Sequence, residues 1–421
     1  MKYGLEDKPG TGVFLLYGVQ WWAVCLPCVI IMGVVVARLH YAELGDQVFY
    51  LQKLFGLTGL VMAGQLLFGH RLPLVVGPAT ILLAGLLAAL SSGLDAIYSS
   101  IIIGGGVLAV CSAAGLIGRL RNFFTPRIVA VILVLIAFTI SPTILNLTLG
   151  DGRDPVFHLL FGFGLTLFMI IANQLLAGIW KSMTVLLGLA GGSLLYFALT
   201  AFPDLPPISK PTEAGLFVNS FVFDPGTTLA FIFCMLALTI NELGSIESIG
   251  HMLQADQMDG RVKRGVTCLG LGNMLAGALA VLGPVSYSLS AGIISATGCA
   301  ARRALLPAAG GLIACALVPR AVLICSLLPG PVMGALMLYL MAAQLSSGLA
   351  MLVAERGVSD FGSGLTVGFP LMGGLLISFT PAAVFQEMPA LTRPILSNGF
   401  VMGTILVIML EHIIIRPGQK R

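Results

Sequence analysis

The sequence predicts an all-α polytopic membrane protein of about fourteen transmembrane segments, and three observations predict it. Hydrophobic residues make up 57% of the 421 residues and charged residues only 10%, against roughly a quarter charged in a soluble domain. Charge-free stretches recur along the whole chain at about the 18–22 residues that a helix needs to cross a bilayer core. Segments such as "VAVILVLIAFTI" and "GTILVIMLEHIII" are apolar all round, whereas a soluble helix carries a polar stripe at helical spacing. A large soluble helical protein is the reading these exclude. The mean hydropathy of +1.01 agrees.

The spans follow in order. The first, 13–36, lies between the polar "MKYGLEDKPGTG" and Arg38, and 48–69 ends before His70 and Arg71. The third, 74–90, is short and opens on the Pro/Gly-broken "RLPLVVGPATILLAG". Next come 97–117 before Arg119, 127–147 from Arg127, 157–176 after Arg153, and 182–202 after Lys181. The second half begins with 227–250 after Asp224, then 264–282 after the charged loop around Arg261 and Lys263. The tenth, 285–299, is the other broken segment, "LGPVSYSLSAGIISATG". The last four are 304–325 after Arg302 and Arg303, 331–350, 364–384 after Asp360, and 395–415 before Arg416.

Alternate loops divide the 22 Lys and Arg sixteen to six in favour of the side that holds both termini. That asymmetry predicts cytoplasmic termini in the cytoplasmic (inner) membrane and agrees with an even number of spans. The N-terminus has no cleavable-signal pattern, so the first helix is expected to direct insertion. The net charge of +4 is spread over loops and gives no nucleic-acid footprint. Most of the eight Cys fall inside apolar runs and read as small buried thiols. "CLPC" at 25–28 has redox spacing but lies within a span, without a βαβ context.

The two broken segments lie about 210 residues apart, half the chain, and seven spans per half would enter the membrane in opposite directions. A matched pair of Pro/Gly-interrupted segments points to a 7+7 inverted-repeat transporter with its site at the midplane. The bland alternative is that Gly and Pro are simply frequent in membrane helices, with 52 Gly and 22 Pro here.

Charged groups narrow the site. In "INELGSIESIGH", Glu242 and Glu247 are the carboxylates placed within a span, where a charge is costly and functional by default. Five residues apart, they differ by about 140° around a helix, while Glu247 and His251, four apart, share a face. Glu247 and His251 therefore read as a substrate clamp and proton acceptor. Competing readings are a helix-end carboxylate for Glu247, an interfacial histidine for His251, and a structural hydrogen bond to a neighbouring helix for Glu242. In the tenth segment Tyr287, Ser288 and Ser290 offer hydroxyls, and Gly292 begins a half-helix whose exposed N–H groups are ready donors. No metal cluster or cofactor motif accompanies them in the sequence.

These residues match a known family. "YGLEDKPG" at 3–10, "GVQWW" at 18–22 with its Gln20, "IESIGH" at 246–251 and "LPGPVMGA" at 328–335 resemble motifs of the nucleobase–ascorbate transporters. That family is also called nucleobase–cation symporter 2, or xanthine/uracil permease. The resemblance runs over essentially the full length. It implies that Glu247 binds the base and that Thr80, in "GPATI" at 77–81, sits where an aromatic usually packs on it. "LSAGIISATG" at 289–298 keeps Gly292, Thr297 and Gly298 of the longer signature, but has Leu289 and Ser290 at its first two positions. Leu289 stands where the family supplies a carboxylate or amide, so the chain is a divergent member by this comparison. The resemblance further implies a core domain (1–125 and 226–328), a gate domain (126–225 and 329–421), a homodimer, and an elevator-like movement.

The expectation is a secondary-active carrier for uracil or a purine such as xanthine, taken up with a proton, with no enzymatic activity and no cofactor. Its site would comprise Glu247, His251, Thr80, Tyr287, Ser288, Leu289, Ser290 and Gln20, supported by Glu242, Gly292 and Thr297. The main rival is a small-anion exchanger of the sulfate/bicarbonate type, whose substrate Glu247 would repel. A channel would need rings of polar residues along a pore. An enzyme would need a further constellation, and five scattered His supply none.

Overall fold

The computed structural model describes residues 2–414 apart from 118–124, 150–153, 178–179, 182, 203–206, 208–209, 288–289, 355–356, 387 and 390–391. It is built almost wholly of helices. The first half comprises α1 (Thr11–His40), α2 (Leu44–Leu67), β1 (Val75–Pro78), α3 (Thr80–Ala89), α4 (Leu94–Ala113), α5 (Pro126–Thr139), α6 (Ser141–Leu149), α7 (Pro155–Leu175) and α8 (Thr184–Leu199). The second half comprises α9 (Pro225–Leu253), α10 (Met258–Ala278), β2 (Pro284–Tyr287), α11 (Ser290–Thr297), α12 (Leu306–Ala316), α13 (Pro319–Ser326), α14 (Gly330–Ala354) and α15 (Phe361–Phe379). Two short turns, α16 (Ala382–Gln386) and α17 (Arg393–Leu396), lead into α18 (Gly399–Met409).

Among the described residues, seven helical stretches are long and apolar enough to cross a membrane, with α5 and α6 counted as one. An eighth joins them if Arg302–Ala316 and α13 are taken together, although the pair is bent by 86°. That bend corrects the single straight span expected over 304–325. Pro319 opens α13; it has no backbone N–H to extend the preceding helix and fixes its own φ, so the chain restarts in a new direction.

Helix starts follow local chemistry. Asp224 caps α9 by accepting from Thr227 N–H at 3.0 Å with Pro225 in the first turn, and Thr125 caps α5 in the same way ahead of Pro126. α15 begins with a reciprocal box in which Asp360 accepts from Ser363 N–H and the Ser363 hydroxyl accepts from Asp360 N–H.

Packing relies on small residues, as it must where lipid offers no hydrophobic drive between helices. At the α4–α10 crossing a Cβ on Gly270 would come within 2.6 Å of the Ala109 backbone nitrogen, so only glycine fits. α12 packs on α1 and α2, and α9 lies on α4. Elsewhere α14 packs against α5, α6 and α7, while α15 and α18 close over α5.

The expected broken segments are each a four-residue strand followed by a short helix. β1 and β2 pair antiparallel, with Val75 opposite Tyr287 and Pro78 opposite Pro284. Extended backbone at this depth survives only inside protein. Both strands are indeed buried, with α1 and α2 against β1 and α9 and α10 against β2. A Cβ on Gly77 would meet the Tyr287 ring at 2.6 Å, so glycine sets the closeness of the ribbon.

Burial does not single out Glu242 and Glu247, as the sequence suggested. Glu242 is fully buried, but Glu247 is half-buried, and Asp46 and Glu411 are as enclosed as Glu242 or nearly so. Asp46 accepts from the N–H groups of Thr212, Glu213 and Ala214, and Glu411 pairs with Arg127 at 2.5 Å. Both lie near helix ends, where sequence alone does not show what folds over them.

Candidate functional site

The ribbon is where the polar side chains converge. An antiparallel pair leaves alternate N–H and C=O groups of each strand pointing outward, and in an apolar interior these need partners. On β2 the outward-facing residue is Ser286. Its N–H donates to Glu242 Oε2 at 2.8 Å, its hydroxyl donates to Glu242 Oε1 at 2.8 Å, and its carbonyl accepts from Ser245 Oγ at 3.1 Å. Glu242 and Ser245 are three apart on α9, so one helix face serves the whole residue. Asn273 of α10 donates to the Pro284 carbonyl at 3.1 Å.

Glu242 has a third donor, Gln65 Nε2 of α2, at 3.2 Å. The same amide nitrogen donates to the Gly265 carbonyl at 2.9 Å, and Gln65 Oε1 accepts from His70 N–H at 3.3 Å. His70 itself is buried. Its Nδ1 accepts from Leu72 N–H at 2.9 Å, which assigns the ring hydrogen of the neutral form to Nε2. Nε2 lies 3.4 Å from Ser286 Oγ. Arg71, next in the chain, holds a left-handed φ of 55°, and Arg261 fixes this turn by donating to the carbonyls of His70 and Arg71 at 3.1 and 2.9 Å.

The residues expected to face a ligand separate into groups. Glu247 is half-buried on α9, on a different sector of the helix from Glu242, and His251 is exposed in the last turn before Leu253. Thr80 is half-buried at the first position of α3, directly beyond β1. The Tyr287 hydroxyl donates to the Pro78 carbonyl at 2.6 Å. The Ser290 hydroxyl accepts from Val75 N–H and donates to the Tyr287 carbonyl, both at 2.9 Å. These two hydroxyl hydrogens, expected to be free donors, are spent on closing the ribbon, because unpaired strand groups need them. Ser288 and Leu289 lie outside the described residues.

Gln20 is half-buried on α1, with an Nε2 that is sealed from solvent and has no hydrogen-bond partner among the described residues. An amide donor without an acceptor suits a site that a ligand completes. Gly292 falls within α11, and Thr297 near its end donates to the Ile293 carbonyl at 2.9 Å. Gly298 follows with φ +70°, the left-handed residue that stops a helix. The N-terminal segment then runs beside this end, with Tyr3 bridged to Cys299 and Glu6 paired to Arg302 at 2.7 Å.

Sequence reasoning missed Gln65, His70, Ser245, Ser286 and Asn273. A signal was present for Gln65 and Asn273, since polar side chains inside an apolar run need partners. Nothing in the sequence says which partners, because the bonds that gather Gln65, His70, Glu242 and Ser245 around Ser286 join positions 41 to 216 apart. A shallow cleft between α4 and α9, walled by Leu108, Ile232, Met235 and Leu236, is apolar and offers no recognition chemistry.

Comparison with known proteins agrees with this architecture. The structure is similar to the transmembrane domain of the cyanobacterial bicarbonate transporter BicA, with a TM-score of 0.60 and 15% identity over 87% of this chain and 95% of that one. It is similar to murine Slc26a9, an anion transporter, with a TM-score of 0.59 and 14% identity over 97% of this chain and 69% of that one. At such identities the likeness is one of fold alone. In sequence, the chain is 29% identical to the uric acid permease PucK of Bacillus subtilis (strain 168), over 82% of this chain and 81% of PucK. It is 26% identical to the nucleobase transporter PlUacP of Paenibacillus larvae subsp. larvae, over 84% of this chain and 82% of that protein. A family model described as the Permease family (Xan_ur_permease) matches residues 12–383. The apolar helices, the strand–helix pair crossing beside α9 and this match together make the chain a permease rather than an enzyme, a member of the xanthine/uracil permease family, the nucleobase–ascorbate transporters.

Proposed function

We propose that this protein is a secondary-active carrier that takes a nucleobase, a purine such as uric acid or xanthine foremost, across the inner membrane together with a proton. The observation that carries the reading is the crossing of two strand–half-helix segments beside a helix that bears two carboxylates within five residues. Such a crossing presents helix N-termini and strand backbone to a solute near mid-membrane. Glu247 would accept from ring N–H groups of the base, and the unpartnered amide of Gln20 would donate to a ring nitrogen or carbonyl. Backbone at Thr80 and Ser290 would complete the hydrogen-bonding edge, with His251 tuning Glu247.

The antiparallel sense of β1 and β2, about half the chain apart, supports a 7+7 inverted repeat of fourteen spans with both termini cytoplasmic. The packing of α1, α2, α9 and α10 against the ribbon, with α12 on α1 and α2, supports a core domain, and that of α5–α7, α14, α15 and α18 a gate domain. Elevator-like movement of one against the other, in a homodimer, is the transport cycle we infer. An anion exchanger shares the fold, but the carboxylates of α9 can accept from the ring N–H donors of a purine, which sulfate lacks, and the relatives by sequence are named for purines and uric acid.

The test is uptake of labelled uric acid, xanthine, uracil and sulfate into proteoliposomes holding the purified protein, with and without an inward proton gradient. The reading predicts purine uptake, raised by the gradient, and no sulfate flux. Sulfate flux without purine uptake would overturn it.

A further inference from the structure

We propose that Glu242 is the carboxylate that takes up the co-transported proton, and that Ser286 transmits its charge state through Tyr287 to Ser290 at the start of α11. This rests on the proton-coupled reading above and assigns the coupling to a residue other than the base-binding Glu247.

The argument starts from what the cage around Glu242 can hold. Three donors converge on the carboxylate: Ser286 N–H at 2.8 Å, Ser286 O–H at 2.8 Å and Gln65 Nε2–H at 3.2 Å. An ionised carboxylate only accepts, so this set matches the charged form. Yet the side chain is fully buried, and no ion pair reaches it among the described residues. A buried charge without a cation is expensive, so the charged form is favoured by donors and disfavoured by its surroundings. That opposition leaves a carboxylate able to exist in either state.

The groups that face it are few. His70 approaches through Ser286, Cys268 of α10 lies within its field, and the Arg261 guanidinium stands beyond His70. Gln65 of α2 and Ser245 of α9 are neutral, and α3, β2 and α11 carry no charged side chain.

Protonation has one outlet in this cage. Hydronium from the side of higher proton concentration gives its proton to Glu242 Oε1: one of its O–H bonds breaks, water leaves, a new O–H bond forms on Oε1 and the carboxylate becomes neutral. The new O–H needs an acceptor, and of the two donors on Oε1 only the Ser286 hydroxyl can turn round to accept. Its own hydrogen then loses the carboxylate, and His70 Nε2 cannot take it because that nitrogen already carries a hydrogen, fixed by the Leu72 N–H on Nδ1. Both side-chain and backbone bonds of Ser286 to Glu242 weaken together. Ser286 lies one residue before Tyr287, whose carbonyl holds Ser290 at the start of α11. The protonation state is thus felt at Ser290 and the start of α11. Gln65 and His70 are positioning residues here, since they act through Glu242 and Ser286.

The experiment measures xanthine and uric acid in proteoliposomes and by thermal stabilisation of the purified protein between about pH 5 and pH 8. Each variant is divided by the wild type at the same pH, so that titration of the purine cancels. Glu242→Gln, which mimics the neutral acid, should still be stabilised by purine but lose the stimulation of uptake by a proton gradient. Ser286→Ala keeps the backbone donor and removes the hydroxyl, so the midpoint of the pH dependence should rise by about one unit. Glu247→Gln should instead lose purine stabilisation at every pH. Gradient-stimulated uptake by Glu242→Gln equal to wild type would overturn the proposal. If that variant does not fold, an unmoved midpoint in Ser286→Ala would overturn it. A wild type indifferent to the gradient would overturn it too, together with the proton-coupled reading, while loss of stabilisation in Glu247→Gln would leave the base site standing.

Discussion

Gln20 and Glu411 represent opposite uses of a buried polar group. The Gln20 amide nitrogen is enclosed and unpartnered among the described residues, so removing it breaks no hydrogen bond of that nitrogen to them. Gln20→Ala should leave thermal stability within about 1 °C of wild type and weaken purine binding about tenfold, the value of a hydrogen bond made only with ligand. Glu411 is instead fully engaged, accepting from Arg127 at 2.5 Å and Thr125 at 3.1 Å. Arg127→Ala leaves that carboxylate enclosed and half-satisfied, which should cost about 3 kcal/mol and be seen as a large fall in Tm without a change in substrate preference. The residues of "IESIGH" could be read from sequence because helix geometry alone places positions four apart on one face. The Glu242–Ser286 contact could not, because it joins residues 44 apart and is dictated by the needs of a strand edge. The same limit hid Asp46, whose three backbone donors come from a loop 166 to 168 positions away.

At the level of elements, caps and crossings decide where segments begin and how closely they meet. Asp224→Ala removes the acceptor for Thr227 N–H at the start of α9 and should destabilise the protein by about 1 kcal/mol, read from thermal unfolding in detergent. Gly77→Val places a branched side chain against the Tyr287 ring. It should separate β1 from β2 and abolish uptake even where the protein still reaches the membrane. The Asp360 carboxyl at the start of α15 is held below the usual carboxylate range by the Ser363 N–H. Its folded pKa is depressed, so its contribution is present above the unfolded pKa and fades as pH falls through the folded value. Among the described residues the apolar stretches of the sequence are mostly helical, seven or eight of them long enough to span, since absence of charge over a bilayer-length run leaves few other conformations. The 86° bend before α13 was not legible. Proline is tolerated inside membrane helices, as Pro27 is within α1, so Pro319 alone does not announce a break.

For the whole molecule, we propose that a ribbon-bearing unit moves a base past a second unit, driven by a proton held behind the ribbon. The family and the helical architecture were readable because composition and short motifs report them. The proposed division into core and gate comes from the resemblance and not from composition, since it depends on which helices pack together rather than on any one of them. If both termini are cytoplasmic, a thiol introduced as Lys8→Cys should be labelled only from the inside by an impermeant reagent. One introduced as Glu213→Cys should be labelled only from the outside. Labelling of both from one side would contradict the topology. The most direct test of the central claim is calorimetric titration of xanthine and uric acid into the purified wild type and Glu247→Gln. Loss of one buried charged partner predicts a purine affinity at least about thirtyfold weaker in the variant. Equal affinity in the two proteins would contradict a permease that reads its cargo with the carboxylate of α9.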